Sequence, residues 1–115
     1  MWRFNPNARV FLALGATDLR KSIHGLASLV NGQMDGDLFS GDFFAFTNRS
    51  RSLIKILYWS ENGFCLWQKR LSKDKFKWPK SRKDVLMISQ REMSWLLDGL
   101  DFRQAHQRLN YNIAC

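Results

Sequence analysis

Between Asp42 and Leu71 the chain reads as three successive strands, and this pattern limits the fold more than any other. The runs are residues 42–47 (DFFAFT), 52–59 (SLIKILYW) and 64–71 (FCLWQKRL). They are rich in β-branched and aromatic residues and are bounded by polar links. Residues 48–51 (NRSR) join the first pair and residues 60–63 (SENG) the second. Asn62-Gly63 is the strongest short hairpin signal, because these residue types tolerate the positive φ that tight hairpin turns require. Strands joined by such short links make an antiparallel meander. The middle strand alternates Ile54, Ile56 and Tyr58 with Leu53, Lys55, Leu57 and Trp59. Both faces carry apolar groups, so one is expected to cover a helix and the other to meet a second layer or a partner.

The flanking segments supply the helices. Residues 9–14 (RVFLAL) read as a strand that can join the sheet as a fourth member, and Gly15 ends it. Thr17 offers a helix N-cap hydroxyl, and Asp18 puts negative charge in the first turn. Leu19, Ile23, Leu26, Ala27 and Val30 then recur at helical spacing, and Asn31-Gly32 can close the helix. Residues 31–41 read as a loop. Later, Ser89 and Glu92 stand three apart as a capping box, and Met93, Leu96, Leu97 and Leu100 follow on one helical face. Gly99 weakens the end of that helix. The expectation is a single α+β domain over residues 1–103. In it an antiparallel three- to four-stranded meander packs with about two helices, and a polar tail over 104–115 follows.

Several function classes lack their signatures. No apolar run approaches the roughly 20 residues that span a bilayer. The N-terminus lacks the three-part layout of a signal peptide, so a cytoplasmic protein without membrane contact is expected. Cys65 and Cys115 are the only cysteines, which suits a reducing compartment better than a disulfide framework. Cys65 reads as a small thiol in an apolar strand. His24 and His106 have no Cys or His at ligand spacing, so no metal and no cofactor is expected. A metal-dependent nuclease needs convergent carboxylates. Asp18, Asp35, Asp37, Asp42, Asp98 and Asp101 all lie beside turn or helix-end signals, where capping explains them. Residues 15–21 (GATDLRK) could hold a phosphate at a helix N-terminus, but Asp18 would repel it and an ordinary turn is the better reading. No catalytic residue is assigned.

Charge points towards polyanions. The chain carries a net charge of +8, and the excess gathers in residues 69–83 (KRLSKDKFKWPKSRK). Lys69, Arg70, Lys73, Lys75, Lys77, Lys80, Arg82 and Lys83 stand there against a single acid, Asp74. Such a stripe gains free energy by releasing counterions from DNA, whatever the base sequence. The alternative is a solvated charged loop. Interleaved Phe76, Trp78 and Pro79 either stack on bases or tie the segment to the core. Arg49 and Arg51, at a loop tip, extend the same candidate surface. No base-reading module such as a helix-turn-helix or zinc finger is spelled out. Trp59, Phe64, Trp67, Phe76 and Trp78 together exceed what a small core easily hides, which suggests a patch for another chain or for self-association.

Several blocks are specific in combination. FNPNARVFLALGATDLRKSIHGLASLV, LFSGDFFAFTNRSRSLIKILYWSENGFCLWQKRL, FKWP and MSWLLDGLD resemble the TnpB accessory proteins, the second open-reading-frame products of the insertion sequence sixty-six family, and the likeness runs from about Phe4 to about His106. Matching positions include Thr17, Asp18, Arg20, Lys21, Gly25, Asn48, Arg49, Lys55, Trp59, Gly63, Trp67, Lys69, Arg70, Phe76, Trp78 and Pro79. Ser52 and Ser60 depart from the family, which often has acids there. The resemblance implies a role in transposition beside a larger transposase, and it carries over no catalytic residue.

The reading is therefore a non-enzymatic accessory protein that assists a transposase at DNA ends. Its basic segment would touch phosphates, and its exposed aromatics protein or bases. A pure protein–protein adaptor that binds the transposase is the second reading, and a nuclease subunit with a hidden carboxylate site the third. Homo-oligomerisation stays open.

Overall fold

A computed structural model describes residues 6–80 and 83–101. Arg82, Phe4, His106, Cys115 and the expected tail over 104–115 lie outside the described residues. The elements run β1 (Val10–Ala13), α1 (Ile23–Gly32), β2 (Phe43–Thr47), β3 (Leu53–Ser60), β4 (Gly63–Arg70), β5 (Val85–Ile88) and α2 (Gln90–Leu97). The class is α+β, with two helices among the described residues, as expected.

The meander of β2, β3 and β4 is antiparallel, and the β3–β4 hairpin closes at Ser60↔Gly63. Two points correct the expected sheet. It has five strands in the order β4-β3-β2-β1-β5, and it is mixed, because β1 pairs parallel with β2. The physical reason lies in α1. A parallel neighbour needs a crossover, and a helix between β1 and β2 carries the chain back to the same end of the sheet. The fifth strand, VLMI, pairs antiparallel with β1 from Val10↔Ile88 to Ala13↔Val85. Its four residues are too few to show a period of their own.

Side-chain alternation sends two apolar sets to opposite faces. One face joins Phe44, Phe46, Leu53 and Leu57 with Leu26 and Val30 of α1. The other joins Val10, Leu12, Ala45, Ile54 and Ile56 with Met93 and Leu96 of α2 and with Phe76 and Trp78. β2 is buried at every position, as a strand covered on both faces must be. The sequence predicts that one face meets a second layer or a partner; that face is the one of Ile54 and Ile56, and its layer is α2 plus the segment after β4.

The helix starts differ in how well the sequence marks them. At α2 the capping box is complete: Ser89 Oγ accepts from Glu92 N at 3.0 Å, and Glu92 Oε1 accepts from Ser89 N at 2.9 Å. At α1 the expected cap is wrong, since the helix begins at Ile23 behind Ser22. Thr17 N donates to Thr47 O at 2.8 Å instead, tying the loop to the end of β2. Asp18 Oδ1 accepts from Arg20 N at 3.0 Å, so its carboxylate shapes a turn and not a helix start. Asp42 also exceeds a turn role. It is buried, and it accepts from Arg9 N at 2.8 Å, Nε at 3.2 Å and Nη2 at 3.0 Å, joining the start of β1 to that of β2.

Candidate nucleic-acid interface

The segment after β4 has no helix or strand, yet it is held firmly. Leu71 N donates to Ser52 O and Phe76 N to Arg51 O, both at 2.8 Å. Phe76 is 1% exposed and Trp78 4% exposed, and the indole Nε1 donates to Ala13 O at 3.0 Å. Of the two roles open to these aromatics, the structure shows the tie to the core. Trp78, a nucleic-acid-binding candidate of the sequence, therefore offers little surface to a base. Burial of Phe76 and Trp78 turns Lys75 and Lys77 outward, and Lys73 and Lys80 are exposed on either side of them.

Arg51, Lys75, Lys77 and Lys80 line one depression of about 360 Å³, floored by Phe76, Trp78 and Pro79, with Asp101 at its rim. The nearest carboxylate to Lys77, Asp74, lies 4.0 Å away with both side chains more than half exposed, so the pair is weak and leaves the lysine available. Lys83 is exposed beyond the undescribed pair of residues 81 and 82.

The β2–β3 turn separates this depression from a larger groove. Asn48 Oδ1 accepts from Ser52 N at 3.0 Å and Leu53 N at 3.2 Å, and Arg51 adopts φ 58°. These bonds fix a turn that places Arg49 on one side and Arg51 on the other. Arg49, Arg20, Lys55 and Arg70 line the larger groove, of about 830 Å³. Lys55 Nζ donates to Leu19 O at 2.6 Å, which holds the loop before α1 against the sheet. Asp18 faces Arg20 with two contacts, Nε–Oδ1 at 2.9 Å and Nη2–Oδ2 at 2.8 Å. That guanidinium holds the Asp18 carboxyl far below the usual carboxylate range, and Arg20 is raised in turn.

The model of the family described as IS66 Orf2 like protein matches residues 8–107. The chain belongs to this family. Its members are accessory proteins of insertion-sequence transposons. Among curated proteins the chain is 36% identical over 101 residues to the uncharacterized protein y4hO of Sinorhizobium fredii, covering 88% of each chain. It is 30% identical over 100 residues to the uncharacterized protein y4jC of the same organism, covering 87% of this chain and 86% of the other. No solved structure matches.

In this IS66 Orf2-like chain the described basics among the eight predicted in residues 69–83 do not share one face. Lys69 and Arg70 are neighbours on β4, so their side chains leave opposite sides of the sheet. Lys69 Nζ reaches Leu97 O at the end of α2, at 2.7 Å, where a cation suits the carbonyl end of a helix. Arg70 lines the larger groove with Arg49. Lys75, Lys77 and Lys80 line the smaller depression with Arg51. Arg20 and Lys55 were not among the sequence candidates, though the block TDLRK and the lone lysine of an apolar strand were visible signals. Among the described residues no three His, Cys, Asp or Glu side chains gather as a metal site, and no helix is long and apolar enough to cross a membrane.

Proposed function

We propose that this IS66 Orf2-like protein is a non-enzymatic nucleoprotein factor that contacts the DNA backbone at transposon ends in support of the transposase. The observation that carries the reading is the burial of Phe76 and Trp78, which turns Lys75 and Lys77 outward into one depression with Lys80 and Arg51, while Lys73 is exposed just before them. Like charges held together raise the energy of the free protein, the exposed Lys77–Asp74 pair at 4.0 Å offsetting little of it, and a polyanion relieves them by releasing its own counterions. The adaptor reading has its own support: Met87 on β5 and Leu100 after α2 are 59% and 49% exposed, an apolar offer to a protein chain.

Fluorescence anisotropy of labelled duplexes, one a transposon end and one scrambled, across a salt series tests the choice. Phosphate contact gives affinity that falls steeply with salt, at a log–log slope of roughly −0.9 per neutralised phosphate. Replacing Lys73, Lys75, Lys77 and Lys80 by Ala should flatten that slope by up to roughly 3.6. Absence of binding to both duplexes at low salt refutes DNA contact and leaves the transposase as the ligand to test.

A further inference from the structure

The α1 side of the β3–β4 ribbon combines two features that the duplex contact does not use. At one end is the larger groove, where Asp18 offsets only one of four cations, leaving the charge of Arg49, Lys55 and Arg70. At the other end Phe39, Trp59 and Phe64 form an aromatic cluster. The ring centroids of Phe39 and Trp59, and of Trp59 and Phe64, each lie 5.0 Å apart at 75°. Phe39 is 64% exposed despite these neighbours. Its loop is built to hold it there: Asp37 Oδ1 accepts from Phe39 N at 3.0 Å, and Asp37 O accepts from Ser40 Oγ at 2.8 Å.

One strand connects the two ends. Register places Trp59 opposite Phe64, Leu57 opposite Leu66, Lys55 opposite Gln68 and Leu53 opposite Arg70, all on one face. β4 is an edge strand, and its residues on this face become more exposed from Phe64 towards Gln68 and Arg70. The six residue steps of extended chain from Phe64 to Arg70 span roughly 20 Å. The result is a ledge with cations at one end and an open aromatic ring at the other.

We infer that this ledge binds single-stranded nucleic acid, with phosphates in the groove of Arg49, Lys55 and Arg70 and a base stacked on Phe39. Charge alone would accept a duplex as readily. The aromatic end decides the class, because a ring stacks on a base only when that base has left its own stack. Stacking needs no particular base, so the site has little sequence preference. The inference does not depend on the duplex contact, which lies on the other side of the Asn48–Ser52 turn.

The test is anisotropy of a labelled oligothymidylate, which has little structure of its own, over a salt series. The intact protein should bind with a log–log slope of roughly −2, about 0.7 for each of three phosphates. Phe39→Ala, at an exposed site that the core does not need, should weaken binding about tenfold with the slope unchanged. Arg70→Ala should flatten the slope by roughly 0.7. The protein lacking Lys73, Lys75, Lys77 and Lys80 should show the same tenfold loss on adding Phe39→Ala, which separates this site from the duplex surface. Unchanged circular dichroism confirms that each variant is folded. Full affinity in Phe39→Ala would overturn the proposal and mark the cluster as a protein contact. So would an absence of oligothymidylate binding, or binding that disappears with the four lysines alone.

Discussion

Replacing Trp78 by Phe separates an aromatic that holds the basic segment in place from one that meets a base. The indole is buried, and its Nε1 donates to Ala13 O at 3.0 Å across 65 residues of sequence. Phe keeps an aromatic face but loses the donor and part of the ring. The lost hydrogen bond costs about 1 kcal/mol. The cavity left by the smaller ring adds about 1–2 kcal/mol, by the scale of conservative core truncations. The expected total is about 2–3 kcal/mol. For a small protein with a urea dependence of about 2 kcal/mol per molar, the midpoint should fall by roughly 1–1.5 M. Urea unfolding followed by circular dichroism reads this directly. Duplex affinity of the folded variant should stay within about twofold, because Lys75 and Lys77 keep their charge and remain exposed. An unchanged unfolding midpoint together with weakened DNA binding would refute the reasoning, since that combination belongs to a ring in contact with a base.

Four other perturbations follow from particular contacts. Asp42→Ala removes the acceptor of three Arg9 donors at a buried site, and thermal melting should show a loss of about 2–3 kcal/mol. Gly36→Ala would put its Cβ 2.5 Å from Cε1 of the buried Phe44, so equilibrium unfolding should show destabilisation of about 1–3 kcal/mol. Asp18→Asn leaves the Arg20 charge uncompensated, and oligothymidylate affinity should rise with a slope steeper by roughly 0.7. The depressed Asp18 value keeps its carboxylate charged on Arg20 through the ordinary carboxylate range, the pairing being lost only as pH falls through the lowered value, so the gain from this variant should persist in mild acid. Burial first, and Cys65 beside it, push the Tyr58 phenol up. Its contribution is therefore intact below about pH 10 and lost as pH rises through the raised value, and Tyr58→Phe should flatten the alkaline limb of a stability-against-pH curve.

Local patterns were legible in the sequence where local chemistry determines structure. The β3–β4 hairpin forms where Asn62-Gly63 marked it, although the positive φ falls on Glu61 and Gly63 already belongs to β4; the Ser89–Glu92 capping box and the meander carry their own signals, because turn and cap residues act within four positions. Parallel pairing of β1 with β2 depends on where α1 lies, and β5 depends on a partner about 75 residues earlier. Neither leaves a mark in a short window. At the site, charge marked the basic segment but not its division. The alternation of Lys75 and Lys77 with Phe76 and Trp78 was a period-two signal of a half-buried extended chain, hidden by the density of lysine. Arg20 comes to Arg49 and Arg70 only through the folded loop before α1, and Lys55 through the β3–β4 register. Phe39 sat in a segment that read as loop, and only its contacts with Trp59 and Phe64 give it a role.

The place of β1 has a consequence for synthesis. It is the first strand made, yet one of its two neighbours is the last strand. At about 5–20 residues per second, a ribosome leaves β1 open on that side for roughly 4–15 s. A product that stops short of Val85 never closes it. Such a fragment would present Val10–Ala13, an apolar strand with a bare ladder, to any other unfinished chain. Truncated copies of the gene therefore yield an aggregation-prone chain and not a weaker version of the protein.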